Sequence, residues 1–479
     1  MKKKLYIIFL LKLILIFSFN DELLAKKTDK YYKSSSISSY FHGILSFQDN
    51  NFSSAFSNFR KLKGLENYHS NYAKFYQNTL INLEKFDEAY RFSKNLEKQQ
   101  NDNFESNLLI GVYHLKNKDY KEASRYFKKI ENLFIDESIT GFLSLSLNNW
   151  ISFNDISYEE ATIKINNLNE RFKKIKKIQH VFANCFYDKK NTNKKFNELI
   201  SKNDDLVRYN FFYINYLYKN NNIKKAKKIL NDKINLYPES LILGQLNEDI
   251  ENSLKSYFSD NFECKNKSHV VAEIIYIISN ALSSQGLYSL SNFYLNIAKY
   301  LNENFTSYQI LYGENHYQLE NFNDTKKIFR KISNNGKIYD WYASKQITNT
   351  MLREKKTEEA IIYLEKKFKK LQKPGIFQIY DYADFLKRNE KYNQSLKYFD
   401  LILNRIDTNH KLYAKATDKR GVVNERLGNW DNAEKDFLNS LKISPDQAYV
   451  INYLAYSWLE QSKNIEKSLE MLKKANDLK

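Results

Sequence analysis

Three pairs of adjacent carboxylates, Glu159-Glu160, Asp204-Asp205 and Glu358-Glu359, are the first residues to test as an acid/base couple. General acid–base work needs two carboxyls that converge on one reacting group. Neighbours on a helix point roughly 100° apart and cannot do so. At helix starts, where these pairs fall, acids instead complement the helix dipole. No glycine-rich phosphate loop, HExxH, GxSxG or CxxC motif occurs, so the sequence nominates no nucleophile, oxyanion site or metal centre. Two cysteines and seven scattered histidines form no cluster with zinc-ligand spacing. The expectation is a protein with no catalytic residues, no metal and no cofactor, which is not an enzyme.

Cationic groups are the other candidate. Arg171, Lys173, Lys174, Lys176, Lys177, Lys189, Lys190, Lys194 and Lys195 make a basic run against one acid, Asp188. Such a run either forms a solvated face or attracts an acidic protein or anionic lipid surface. The formal charge of +19 invites a nucleic-acid reading. Lysine supplies most of that charge, whereas base readers and phosphate forks lean on arginine. Asn, Ile, Tyr and Phe are swollen alongside Lys, as an AT-rich coding sequence would make them. Composition therefore argues against nucleic acid as the partner.

The elements that would position these side chains are helices. Glycine (11) and proline (3) are scarce over 479 residues, too few for the turns of a β-rich fold. A period then appears. Ala55, Ala89 and Ala123 are 34 residues apart, in the phrases NNFSSAFSNF, EKFDEAYRFS and KDYKEASRYF. Gly43 precedes Ala55 by twelve and Gly111 precedes Ala123 by twelve, with Phe127 four residues later. Gly313, Thr325 and Phe329 repeat this spacing, as do Gly421, Ala433 and Phe437, the last unit closing at Pro445. Weaker copies centre on Ala161, Ala226, Leu290, Ala360, Ser395 and Ser468, with a degenerate pair around Ala183 and Phe196. About twelve units result. A small residue in each of two helices lets them approach, and the aromatic fills the gap to the next pair. One pair cannot bury its own apolar face, so the pairs must stack.

The small, small, aromatic and proline positions Gly421, Ala433, Phe437 and Pro445 resemble the tetratricopeptide-repeat (TPR) consensus. The resemblance implies an all-α solenoid, a right-handed superhelix of stacked antiparallel helix pairs, serving as a protein–protein interaction scaffold. First helices would line a concave groove, where some members of the family grip a peptide's terminal carboxylate. In register, the gripping positions here are Lys345 and Asn349, then Asp381, then Lys415 and Lys419; Asp381 would repel a carboxylate. Tyr342, Phe377 and Tyr380 add aromatic contact area to a groove expected between Phe211 and Leu386. His42, His114 and His316 fall near the core side of first helices, where packing or solvation is expected. Because a solenoid packs nearest neighbours, Cys185 and Cys264, about two repeats apart, are expected as isolated thiols. The phrase from Asp446 to Trp458 and the run from Gly428 to Ala433 resemble long exported TPR proteins of Gram-negative bacteria.

The N-terminus has the order of an export signal. Lys2, Lys3 and Lys4 precede an apolar stretch from Leu5 to Phe19, and Ala25 offers a cleavage position. Residues 1–25 are thus expected to be a signal peptide or N-terminal anchor, the protein being exported and either periplasmic or anchored in the inner membrane facing the periplasm. A polar linker (26–34), N-terminal units (35–270) and C-terminal units (271–479) without an obvious capping helix follow. The last helix carries Ile465, Leu469, Leu472 and Ala475 at helical spacing, an apolar edge suited to a partner or a second copy. The alternative function is a membrane-anchored or membrane-surface accessory of envelope assembly or export, using the basic run.

Overall fold

The computed structural model describes residues 33–131, 138–201, 206–252 and 262–478. The expected signal or anchor (1–25) and most of the linker lie outside them. The described residues form helices joined by turns and short irregular segments, and contain no strand. They divide into two compact units, one ending at Tyr76 and the other running from Gln77.

The first unit holds α1 (Ser34–Gln48), α2 (Phe52–Phe59) and the start of α3 (Ser70–Asn82). Phe59 is fully buried and lies in edge contact with Tyr72, 5.9 Å between ring centroids.

The second unit continues α3 and pairs it with α4 (Phe86–Lys98). Then come α5 (Phe104–Lys116) with α6 (Tyr120–Glu131), α7 (Ile139–Ser152) with α8 (Tyr158–Asn166), and α9 (Lys173–Phe186) with α10 (Thr192–Ser201). A further pair, α11 (Arg208–Lys219) with α12 (Ile223–Leu236), precedes α13 (Leu241–Glu251). A second array begins with α14 (Lys267–Ser284) and α15 (Tyr288–Leu301), followed by α16 (Thr306–Gln318) and α17 (Phe322–Ile332). It continues through α18 (Lys337–Arg353), α19 (Thr357–Lys369), α20 (Ile376–Arg388) and α21 (Tyr392–Leu403). The last pairs are α22 (Tyr413–Arg426) with α23 (Trp430–Ile443), and α24 (Ala448–Glu460) with α25 (Ile465–Asp477). This is an all-α solenoid of TPR-type helix pairs.

The steric rule read from the sequence holds in side-chain detail. A Cβ added to Gly111, Gly313 or Gly421 would strike the ring of Phe127, Phe329 or Phe437 on the paired helix. In some units a larger residue in the first helix is matched by one smaller than phenylalanine sixteen positions on, although Ala383 keeps Phe399. Thr348 pairs with Leu364, Ile214 with Leu230, and Gln77 with Ser93, to whose hydroxyl it donates at 3.0 Å. Ala89, Ala123, Ala161, Ala226, Ala360 and Ala433 are all fully buried. The unit expected at Leu290 is centred one residue later. Leu290 is exposed, while Ser291 is buried and donates to the carbonyl of Ser279 at 2.8 Å. Most intra-pair turns have three residues, the middle one left-handed, as at Glu84 (φ 57°), Lys118 (φ 63°), Glu320 (φ 60°) and Gly428 (φ 79°). The next amide then closes back on the helix, as Lys85 does to Leu80 and Asn429 to Asn424.

Nearest-neighbour packing does not hold. The second array seats its first pair inside the first array: α14 lies against α5, α7 and α9, and α15 against α5. Ser268 donates to the Leu115 carbonyl, Lys267 to the Ile151 carbonyl, and Lys299 pairs with Glu84. Phe86 stacks on Tyr300 with centroids 4.1 Å apart. In return α13 packs against α18, where Ile338 N–H donates to Gln245. At the joint, buried Glu273 accepts both forks of Arg208 at 2.8 and 2.7 Å and the hydroxyls of Tyr209 and Tyr308. The sequence boundary at 270/271 falls inside α14.

The two cysteines are not isolated thiols. Cys185, at the end of α9, and Cys264, just before α14, form a disulfide. They meet because α14 returns to the first array, which a strictly linear solenoid would not allow.

Candidate functional site

In a stack of such pairs the inner face is lined by residues three before, one after and four after the small residue of each first helix. In α5 these are Leu108, Val112 and Leu115, and in α7 Ser146, Trp150 and the C-cap Phe153, all at most 1% exposed. Helices α14 and α15 fill the first array's groove, so these positions are core. Phe211, the expected start of the aromatic groove, is also buried, against Phe212 and against Phe305 at the start of α16.

The corresponding face of α20, α22 and α24 is different. It presents Tyr380, Asp384 and Lys387, then Asp418, Val422 and Glu425, then Asn452, Tyr456 and Leu459, with Tyr449 two turns before Tyr456 on the same side of α24. Tyr449 and Tyr456 are 54% and 55% exposed, and Tyr449 lies 5.8 Å from Tyr453. The Tyr453 hydroxyl donates to Glu425 at 2.8 Å. Burial, helped by Asp384, Asp418 and Asp381, pushes the Tyr380 hydroxyl above its ordinary range. Burial likewise raises the Asp418 carboxyl, against the pull of Lys419 and Lys387.

The expected clamp residues are placed as follows. Lys345 donates to Asp381 at 2.6 Å, and the Trp341 indole donates to the same carboxylate at 2.9 Å. Lys419 lies 3.4 Å from Asp418 and 5.0 Å above the Tyr449 ring. Asn349 is half-buried on α18. Lys345 and Lys419 thus face carboxylates of this chain, which opposes capture of a terminal carboxylate. Tyr342 donates its hydroxyl to Glu314, a carboxyl that burial pushes upward. Phe377 and Lys415 come together in a cavity of about 460 Å³ with Leu236, Tyr237, Pro238 and Leu412.

The basic run does not form one patch. Lys176 is buried, donating to the carbonyls of Asn166 and Leu168 and pairing with Glu170. Arg171, Lys173, Lys174 and Lys177 lie at one end of α9; Lys189, Lys190, Lys194 and Lys195 lie at the other, about 20 Å away. Lys189 faces Glu159 at 3.6 Å and Lys195 faces Glu198 at 3.3 Å.

Among the carboxylate pairs, Glu160 completes a capping box with Ser157 and Glu358-Glu359 sit in the first turn of α19. Asp204-Asp205 lie outside the described residues. His42 bonds to Ser38 and His114 to Asp119, while His316 is buried against Tyr312. Among the described residues no His, Cys, Asp and Glu group is placed to hold a metal ion, and no helix is long and apolar enough to cross a membrane. The exposed tyrosines of α24 were missed as groove residues, although Tyr449, Tyr453 and Tyr456 follow Pro445 at one-face helical spacing.

No protein-family model and no curated protein sequence matches the chain. Among solved structures it is similar to the APC/C hetero-tetramer Cut9-Hcn1, at 12% identity and TM-score 0.36, over 93% of this chain and 94% of that one. It is also similar to MamA 41-end from Desulfovibrio magneticus RS-1 (12%, TM-score 0.24, 43% of this chain and 94% of that one). A third likeness is to Naa15/Naa10 bound to HypK-THB (10%, TM-score 0.25, 92% of this chain and 68% of that one).

Proposed function

We propose that the chain is a non-enzymatic protein–protein interaction scaffold that holds a peptide or protein segment along the inner face of α20, α22 and α24. The observation that carries this reading is the set of exposed and half-buried tyrosines Tyr380, Tyr449 and Tyr456, placed among charged side chains on the inner side of successive first helices. Tyrosine gives rigid contact area at low entropic cost, and the flanking charges supply orientation. The paired state of Lys345 and Lys419 favours an internal segment over a free C-terminus as the ligand.

The proposed location is the bacterial cell envelope, after export. Residues 1–25 have the order of a signal, and the single disulfide suits an oxidising compartment. A membrane-surface role through the basic run is the weaker reading, since that run is divided between the two ends of α9. The test of the scaffold reading is the double variant Tyr449→Ala/Tyr456→Ala. It should keep the wild-type helix content and lose the partner that co-purifies with the wild-type protein. Undiminished co-purification would overturn the assignment of this face.

A further inference from the structure

We infer that the face of α9 and α11 that carries Phe182, Phe212 and Asn215 is a second binding site, for a short turn-forming peptide segment. In this chain its own Phe262–Lys267 strap fills the site, latched there by the Cys185–Cys264 bond. The strap is held as a ligand would be. The Phe262 ring sits 5.0 Å from Phe182 and 4.5 Å from Phe212, and is buried. Its carbonyl accepts from the Asn215 side-chain amide at 2.9 Å and from the Lys219 ammonium at 3.1 Å. Glu263 pairs with that same Lys219 at 3.1 Å, and Lys265 pairs with Asp188. Lys267 closes the strap, its ammonium on the Ile151 carbonyl and 4.4 Å above the Tyr120 ring. The site therefore reads one aromatic side chain, one backbone carbonyl, an acid directly after the aromatic, and basic groups three and five residues after it.

These contacts recognise a segment rather than build a repeat, because Phe262–Lys267 precedes α14 and belongs to no helix pair until Lys267. The only covalent member is the disulfide, and Cys264 is its more accessible half; Cys185 is 5% exposed. A dithiol reductant can open it. One reductant thiolate attacks Cys264 Sγ and expels the Cys185 thiolate, which takes up a proton. The second reductant thiol resolves the mixed disulfide and frees Cys264. Two electrons and two protons pass to the cysteines, and the reductant leaves as a cyclic disulfide. The strap is then held by reversible contacts alone, and a soluble or partner segment with the same pattern competes for its place.

The experiment uses the full folded chain and a labelled synthetic peptide of residues 259–270 with serine at position 264. Amide exchange across 208–219 and 262–270 is measured before and after reduction with dithiothreitol. The crosslink spans 79 residues of sequence, so its loss should speed strap opening at least about 100-fold. The peptide should bind the variant Phe262→Ala/Cys264→Ser, whose own strap is weakened, and not oxidised wild type. The inference is overturned if reduction leaves exchange in both segments unchanged, or if the peptide binds oxidised wild type as well as the variant. It is equally overturned if a variant with wild-type helicity does not bind the peptide. Should the variant fail to fold, exchange in reversibly reduced wild type decides the question.

Discussion

Replacing Gly111 with alanine tests the steric rule that spaces the helix pairs. Two effects oppose. Alanine improves helix propensity by about 1 kcal/mol over glycine. Its Cβ, however, would lie 2.7 Å from Phe127 Cδ1 and 3.0 Å from Cζ, with Cε1 nearer still. Ordinary carbon contacts are about 3.7 Å, so the ring must retreat by roughly 1 Å into packing that is already dense. Overpacking of this kind costs about 1–3 kcal/mol, and three clashing ring atoms place it at the upper end. Gly111→Ala should therefore destabilise its pair by about 2 kcal/mol net. In a Phe127→Leu background the clash is gone, as at the native Thr348/Leu364 and Ile214/Leu230 pairs. There the same substitution should stabilise by about 1 kcal/mol, so its sign reverses. Repeat arrays need not unfold in one step. The readout is therefore native-state amide exchange in α5 and α6, for wild type, both single variants and the double. Equal effects of Gly111→Ala in the two backgrounds would refute the reasoning.

Other consequences are equally specific. Arg208→Met leaves the fully buried Glu273 carboxylate with only tyrosine donors, and should cost about 3–5 kcal/mol in urea unfolding. Arg208→Met/Glu273→Met should recover most of that loss, and a double variant as unstable as the single would contradict the pairing. His316 is 4% exposed, with neither ring nitrogen bonded, and burial pushes its pKa down to about 4. The unfolded chain therefore binds this proton more readily. The stability is present above the unfolded pKa near 6.5 and is lost as pH falls through about 4, by about 3 kcal/mol. His316→Leu should flatten that acid limb, as measured by unfolding at stepped pH. Lys176→Met should loosen the turn at Asn166–Glu170 in amide exchange and leave affinity for anionic vesicles unchanged, since its ammonium is turned inward. Loss of vesicle binding in that variant would revive the surface-patch reading.

The repeat was legible in the sequence because it is a local steric device: Gly43, Gly111, Gly313 and Gly421 are each matched to a phenylalanine sixteen residues on. The unit at Leu290 was misplaced by one residue because a serine, Ser291, does the work of alanine there. The return of α14 into the first array was hidden for a different reason. Spacing within pairs says nothing about contacts between residues over a hundred positions apart, such as Ser268 with Leu115. A signal did exist. Leu108, Val112, Leu115 and Trp150 are apolar at inner-face positions that an open groove would expose to water, and helices apolar on every side are buried. Eleven of the eighteen residues of α14 are buried, which answers that signal from the other side. The disulfide followed from this return and was unreadable without it. The candidate groove was half legible: Tyr380 is half-buried on α20, and Phe377 and Lys415 line a cavity with Leu236 and Pro238. The neutralising pairs Lys345–Asp381 and Lys419–Asp418 and the tyrosines of α24 needed three-dimensional neighbours to be seen.

The most direct test of the scaffold account is site-specific photocrosslinking in the native cell. A photoreactive phenylalanine analogue is placed singly at Tyr449, Tyr456 or Phe377 on the inner face. Controls are Ile163 and Ile362, exposed on second helices, and Trp150, buried under α14. The account predicts one common protein adduct from the three inner-face positions and none from the controls. Adducts confined to Ile163 or Ile362, or an adduct from Trp150 in the oxidised protein, would contradict it.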